Sequence, residues 1–299
     1  MSSIDSREQI VRDHQSEACT PRSVALLTSV VVAGALFVFG GSVLASGAAE
    51  FEAAQPATQA SSSLPKAEEV FERYIEVIGG REKLEKIKNR RVSGTYQGDP
   101  FEFRANLKVW SESDGRFHQR VAEPAGLRYD LFVVDNMTWS VVMDGEPTPI
   151  GRVQRQELLD TADFYGEANY KNRYKEIKTV REAVAGDTAI YVISATTHAG
   201  RPHTLYFAKD SGLLIGNRVP VTGPNETMRD MTVRIQNYKD IGGVLYPTLF
   251  IQEFGGGIKP NRYEFTDVKV NVDDGHEYPV PENVRAVFEA ATKGSAGDD

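Results

Sequence analysis

The sequence predicts a mainly β fold with some α: an antiparallel sheet of about ten or eleven strands, curled into a barrel or half barrel under helical cover. Three observations predict it. From Arg91 onward apolar residues recur with period two; turn signals such as Asp114-Gly115, Ser211-Gly212 and Gly242-Gly243 separate the runs; and one mainly polar stretch, 151–174, interrupts them. Strands joined by such short connections run antiparallel, because a parallel pair needs a crossover of roughly a dozen residues or more.

The 299 residues include 34 basic and 42 acidic ones, for a formal charge of -8, with 40% hydrophobic and 25% charged residues. That composition is globular. The charges form no basic stripe of the kind phosphate backbones require, so no nucleic-acid partner is expected. Residues 1–22 read as a cytoplasmic N-terminal segment. Residues 23–45, SVALLTSVVVAGALFVFGGSVLA, are uncharged and follow Arg22 directly, so an apolar helix entering a membrane is expected there. Its length spans about 30 Å of hydrocarbon and exceeds the roughly 7–15-residue core of a signal peptide. Against retention, ASGA at 45–48 supplies the small residues of a cleavage site. The segment is therefore either a signal sequence or a membrane anchor. In both cases the remainder is expected outside the cytoplasm, periplasmic or held at the inner membrane. The sole cysteine, Cys19, precedes this segment, so the exported part has no disulfide, thiol nucleophile or cysteine metal ligand.

Residues 46–65, rich in Ala, Ser, Gln and Pro, read as a flexible linker, residues 66–290 as the folded domain and residues 291–299 as a disordered tail. In KAEEVFERYIEVIGG, Val70, Phe71, Tyr74, Ile75 and Ile78 recur at helical spacing, Glu68 and Glu69 favour the amino end, and Gly79-Gly80 supplies the stop. A short second helix, REKLEKIK, presents Leu84 and Ile87 on one side. The strand FEFRANLKVW sets Phe101, Phe103, Ala105, Leu107 and Val109 on one face against Glu102, Arg104, Asn106, Lys108 and Trp110 on the other. Further strands are expected at 91–97, 116–121, 127–134, 137–143, 189–197, 204–208, 213–219, 231–238, 245–254 and 261–272. Residues 151–174, with Val153, Leu158, Leu159 and Phe164, read as helix and loop over the sheet or its mouth.

The first helix with GGREKLEKIKNRRVSGTY, the turn DSGLLIG, the hairpin NYKDIGGVLYP and the closing FTDVKVNVDDGHEYPVPENV resemble the outer-membrane lipoprotein-sorting, or LolA-like, superfamily, in the same order across about residues 65–287. The resemblance implies a half-open β-barrel of about eleven strands, capped by helices, whose concave apolar side accommodates acyl chains. It places no carrier-specific residue on this chain, and the superfamily also includes periplasmic sensor domains.

No GxSxG, HExxH, GxGxxG or GxxxxGK[ST] run occurs, so no catalytic residue, cofactor or enzymatic activity is assigned. His198 and His203 flank a turn where they could meet, but no third ligand is apparent and no metal is expected. His118 and His276 are isolated in the sequence and read as solvated or core-edge residues. Asp273-Asp274 with Glu277 lack calcium-loop spacing and read as an exposed turn. Asn225-Glu226-Thr227 matches a glycosylation pattern of little weight.

The apolar candidates for a binding site are Phe101, Phe103, Leu107, Val109, Phe117, Trp139, Phe207 and Phe250. Each either lines a ligand cavity or interlocks into a closed core, and alternation is first of all a folding signal. If they line a cavity, the expected function is non-enzymatic binding of a lipid, or of the acyl chains of lipoproteins, in the bacterial envelope. Such a wall would sort ligands by length and shape more than by head group. The alternative is a membrane-tethered sensor or interaction module of the same fold with a protein partner and no lipid; a hydrolase ranks third. Movement of the cover about Gly79-Gly80 would release the ligand.

Overall fold

The computed structural model describes residues 55–56, 64–99, 101–124, 126–222 and 227–295, without the side chains of 55–56, 102–103, 153 and 292–295. The expected membrane segment 23–45, nearly all of the linker, and Asn225 and Glu226 lie outside the described residues. Among those described, no helix is long and apolar enough to cross a membrane.

Helix α1 (Ala67–Val77) forms where apolar residues fall on one stripe, and it buries Val70, Phe71, Tyr74 and Ile75, followed by buried Ile78. Helix α2 (Arg81–Lys86) buries Leu84, and Ile87 closes it. Both match the expected periodicity.

The described strands are β1 (Gln55–Pro56), β2 (Asn89–Gly98), β3 (Phe101–Glu112), β4 (Phe117–Ala122), β5 (Arg128–Val134), β6 (Met137–Val142), β7 (Thr148–Pro149), β8 (Tyr174–Ala185), β9 (Thr188–Thr197), β10 (Pro202–Ala208), β11 (Leu214–Thr222), β12 (Met228–Ile241), β13 (Val244–Glu253) and β14 (Asn261–Val270). They form one antiparallel sheet of 14 strands in the order β1-β8-β9-β10-β11-β12-β13-β14-β2-β3-β4-β5-β6-β7. The outermost described strands, β1 and β7, are not paired with each other, so the barrel is half open. A single meander was expected. The sheet is two meanders, β2–β7 and β8–β14, seamed where β14 pairs with β2.

Strand β8 was missed in the sequence. Its register with β9 shifts between Tyr174 and Glu176 and again between Thr179 and Arg181, and each bulge advances the side-chain phase by one residue. Buried Tyr174, Thr179 and Ala183 therefore show no sustained period of two.

Because β7 and β8 lie at opposite sides of the sheet, the chain between them has to cross the open side. It does so through α3 (Arg152–Ala162), a 3-10 turn (Gly166–Asn169) and α4 (Tyr170–Arg173). Together with α1, this crossing covers the concave face. Helix α5 (Glu282–Ser295) contacts β6 and β7, and Val284 and Phe288 join the apolar cluster around Trp139. The backbone of α5 continues past residue 290, so 291–295 are helical where a disordered tail was expected.

The β12–β13 hairpin turns on Gly242 (φ 65°) and Gly243 (φ 82°) between paired Ile241 and Val244. Two successive positive φ values at a two-residue connection suit glycine and match the strand twist. The same turn holds α1: Leu245 N donates to Ile78 O at 2.9 Å, and a Cβ on Gly79 would lie 2.6 Å from Gly243 O. Of the glycine pair read as a hinge, Gly79 is wedged against this hairpin and Gly80 is free of it.

Candidate functional site

The sheet register sets two parallel rows of side chains on the concave face. Val268, Val92, Val109 and Gln119 pair in sequence across β14, β2, β3 and β4; beside them run Val270, Arg90, Ser111 and Phe117. With Phe250 of β13 and Tyr263 and Phe265 of β14, these rows surround a cavity of about 280 Å³, roofed by Thr161, Ala162 and Asp163 at the end of α3. A second cavity of about 220 Å³ adjoins it under α1 and shares Arg90, Asp163, Tyr246, Pro247 and Phe250.

The other half of the concave face is filled. Phe71 of α1 stacks on Tyr170 at 4.5 Å between centroids and meets Phe207 edge-on at 5.2 Å, and Tyr74 also meets Phe207. The helical cover thus plugs the β9–β11 side and leaves a void over β2–β4, β13 and β14.

Arg90 stands between the two cavities. Its guanidinium lies over the rings of Phe164 and Tyr246, 4.7 and 5.2 Å from their centroids, and donates to Phe164 O at 3.0 Å. Burial lowers its pKa, because the charged form loses water, and Tyr246 and Asp163 oppose that shift. The Asp163 carboxyl is raised by burial, against the pull of Arg173, whose Nη1 is 3.5 Å away. Ser111 and Gln119 are 3% and 9% exposed, and Ser111 Oγ and Gln119 Nε2 have no hydrogen-bond partner among the described residues.

The crossing helix is pinned by ions. Glu157, 5% exposed, accepts from Thr222 N at 2.9 Å and Thr222 Oγ1 at 3.0 Å. Arg201 lies 3.7 Å from Glu157, pairs with Asp160 at 2.5 Å and donates to Pro220 O at 2.7 Å. Burial raises the pKa of Glu157, while the Thr222 bonds and Arg201 favour its ionised form.

The eight apolar candidates separate in space. Val109, Phe117 and Phe250 line the main cavity. Phe101 borders an open groove with Arg234 and Lys259 at the far end of β3. Leu107, 1% exposed, packs into the core beside the cavity without lining it, and Phe207 lies in the plug under α1. The Phe103 side chain is outside the described residues. Trp139 is on the convex face, stacked on Phe132 at 4.9 Å and buried with Val284.

That convex face corrects the view of His118 and His276 as isolated. Arg91, Trp110, His118, Phe132 and Trp139 form one row across β2–β6, and the segment leading to α5 folds over it. His118 Nδ1 and His276 Nε2 are 3.1 Å apart, and His118 Nε2 is 2.7 Å from Asp130 Oδ1. His203 does not meet His198: it is buried and bonded through Nδ1 to Tyr174 OH at 3.2 Å, while His198 is exposed. Asp274 binds Arg91 through both carboxylate oxygens. Among the described residues no cluster of His, Cys, Asp or Glu is arranged to hold a metal ion.

Arg90, Ser111 and Gln119 were not anticipated. Their signal was present, since each occupies the apolar phase of its strand: Arg90 before Val92, Ser111 after Val109, and Gln119 between Phe117 and Val121.

No protein-family model matches the chain, and no curated protein matches it. Among solved structures, a LolA superfamily protein from Nitrosomonas europaea is 16% identical, with a TM-score of 0.48 over 74% of this chain and 97% of its own. A DUF1329 family protein from Desulfovibrio piger is 10% identical, with a TM-score of 0.50 over 69% of this chain and 93% of its own. The second likeness shows a shared fold and nothing about activity. The open antiparallel sheet and its helical cover are the half-open barrel expected from the sequence.

Proposed function

We propose that this protein binds the acyl part of a lipid or lipidated protein in its concave cavity, without catalysing a reaction. The observation that carries this reading is the void itself: about 280 Å³ walled by Val92, Val109, Phe117, Phe250 and Phe265, in a sheet whose other half is plugged. Each buried CH2 contributes about 0.8 kcal/mol, so a chain of about 14 carbons gains on the order of 10 kcal/mol before ordering costs. The walls supply that without a catalytic group. Entry and release require the α3 crossing to lift, and its ion cluster sets how readily it does so.

The same reading places the domain outside the cytoplasm, with residues 23–45 either cleaved or retained as an inner-membrane anchor. Organic extraction of the purified full chain, followed by mass spectrometry, tests the binding. A co-purifying lipid in near-stoichiometric amount is expected; protein that is empty and takes up no added lipid, yet forms a stable complex with another protein, favours the sensor module instead. Protease treatment of spheroplasts tests the location, since a domain that stays protected inside them overturns it.

A further inference from the structure

Three polar side chains interrupt the apolar wall at one place. Arg90 and Ser111 are directly paired across β2 and β3, and Gln119 on β4 pairs with Val109, two residues from Ser111 along β3. All three line the 280 Å³ cavity. Ser111 Oγ and Gln119 Nε2 are buried without partners among the described residues, and leaving a buried polar group unpaired costs stability that an apolar residue of similar shape would not. Arg90 has five N–H donors in a planar fork and gives one bond to Phe164 O. The combined deficit is therefore of donors facing an apolar space, which matches a ligand carrying oxygen acceptors and negative charge at one end.

The carboxylate in the cavity lining does not fill that role. Asp163 is held by Tyr165 N at 3.2 Å and by Arg173 on the roof. Ligand pockets commonly run from about 300 to 1,000 Å³, and 280 Å³ lies just below that range, which fits one acyl chain better than several.

We propose that the cavity takes a single-chain carboxylic acid head first, its carboxylate against Arg90, Ser111 and Gln119 and its chain along Val92, Val109 and Phe265. This rests on the lipid-binding function above and narrows it to a ligand class, replacing the expectation that the wall sorts ligands by length and shape more than by head group. Recognition is then set by a charge-assisted contact inside the protein, while the chain contributes most of the burial.

The test compares tetradecanoic acid with methyl tetradecanoate by titration calorimetry on delipidated full-length protein. The acid is expected to bind at least about tenfold more tightly than the ester. Arg90→Gln should remove that preference while leaving ester binding in place. Arg90 also touches the roof, so a second variant guards against misfolding: Ser111→Ala with Gln119→Leu should weaken the acid several-fold, weaken the ester less, and melt no lower than the parent. Acid and ester binding equally to the parent overturns the head-group site and leaves the cavity intact as a lipid site. Binding of neither overturns the lipid-binding function itself. A double variant that loses stability while keeping the acid preference shows Ser111 and Gln119 to be structural, and overturns their assignment.

Discussion

His118 and His276, 158 residues apart in the chain, are joined ring to ring at 3.1 Å, with Trp110 stacked on both. Asp130 lies 2.7 Å from His118 Nε2, which fixes that nitrogen as the donor and leaves Nδ1 to accept from His276 Nε2–H. The bond requires His118 to be neutral, because a proton on its Nδ1 removes the acceptor, and it ties the segment before α5 to the outside of β4.

Acid is therefore expected to loosen this segment. Burial holds His118 below the ordinary histidine pKa against the pull of Asp130. Burial, His118 and Arg91 lower His276 to about 4 against Asp274. His203, buried against Tyr174, is lowered to about 3 by burial, Arg173 and Arg201. A histidine lowered on folding takes its proton first in the unfolded chain. The folded state is then at full stability above the unfolded value of about 6.5 and loses it as pH falls toward 4, by up to about 1.4 kcal/mol per pH unit for each fully buried group. His276 keeps part of its ring in solvent, which reduces its share. Urea unfolding at intervals from pH 7.5 to 4 should show this slope, and His276→Phe, which retains the stacking on Trp110, should make it shallower. Identical profiles would show that the pair does not titrate on unfolding.

Little of this was legible in the sequence, and the reason is geometric. In β4, Phe117, His118 and Gln119 are all buried, because α3 and the roof cover one face and the 273–288 segment covers the other. A strand covered on both sides loses the polar-out half of its alternation. Trp139 was assigned to the concave side for the same reason, and His276 gave no sign of pairing with a residue on a strand far from it in the chain. Helix α1 and strand β3 were legible because each buries one face with an unbroken period. What alternation could not separate was a residue facing a void from one facing another side chain: Val109 and Leu107 stand two positions apart on one strand face and look alike in sequence.

Removing Arg201 should free the crossing helix. It leaves buried Glu157 and Asp160 without their shared cation, and losing a hydrogen bond to a charged group costs roughly 1.5–3 kcal/mol. Arg201→Ala is expected to destabilise by about that amount. Hydrogen exchange should rise first in residues 152–162, because local opening of the roof lies below global unfolding. Protection falling evenly across the sheet would mean that the ion cluster supports the whole domain and does not act as a latch.

Gly79→Ala tests the docking of α1. Its φ of 128° is unsuited to a side chain, and the new Cβ would sit 2.6 Å from Gly243 O, closer than real contacts allow. A loss of roughly 2 kcal/mol or more is expected by urea unfolding. Gly80→Ala is the comparison, with a positive φ of 84° and nothing within 4 Å of its Cβ. It bears the backbone strain without the clash, on the order of 1 kcal/mol. Equal losses would show that contact with the hairpin contributes nothing.

The void itself is tested by enlarging two neighbours on the same face of β3. Leu107 is 1% exposed and surrounded by packed side chains, so Leu107→Phe forces extra volume into a filled interior and should cost about 1–3 kcal/mol. Val109 borders the 280 Å³ cavity, so Val109→Phe has empty space to enter. Filling a cavity commonly adds about 0.5–2 kcal/mol. The second variant should therefore melt at or above the parent while retaining at least about tenfold less lipid, since the new ring occupies the space of several methylenes. If both variants lose stability alike, the wall at Val109 is as closed as the core at Leu107, and no lipid can be seated there.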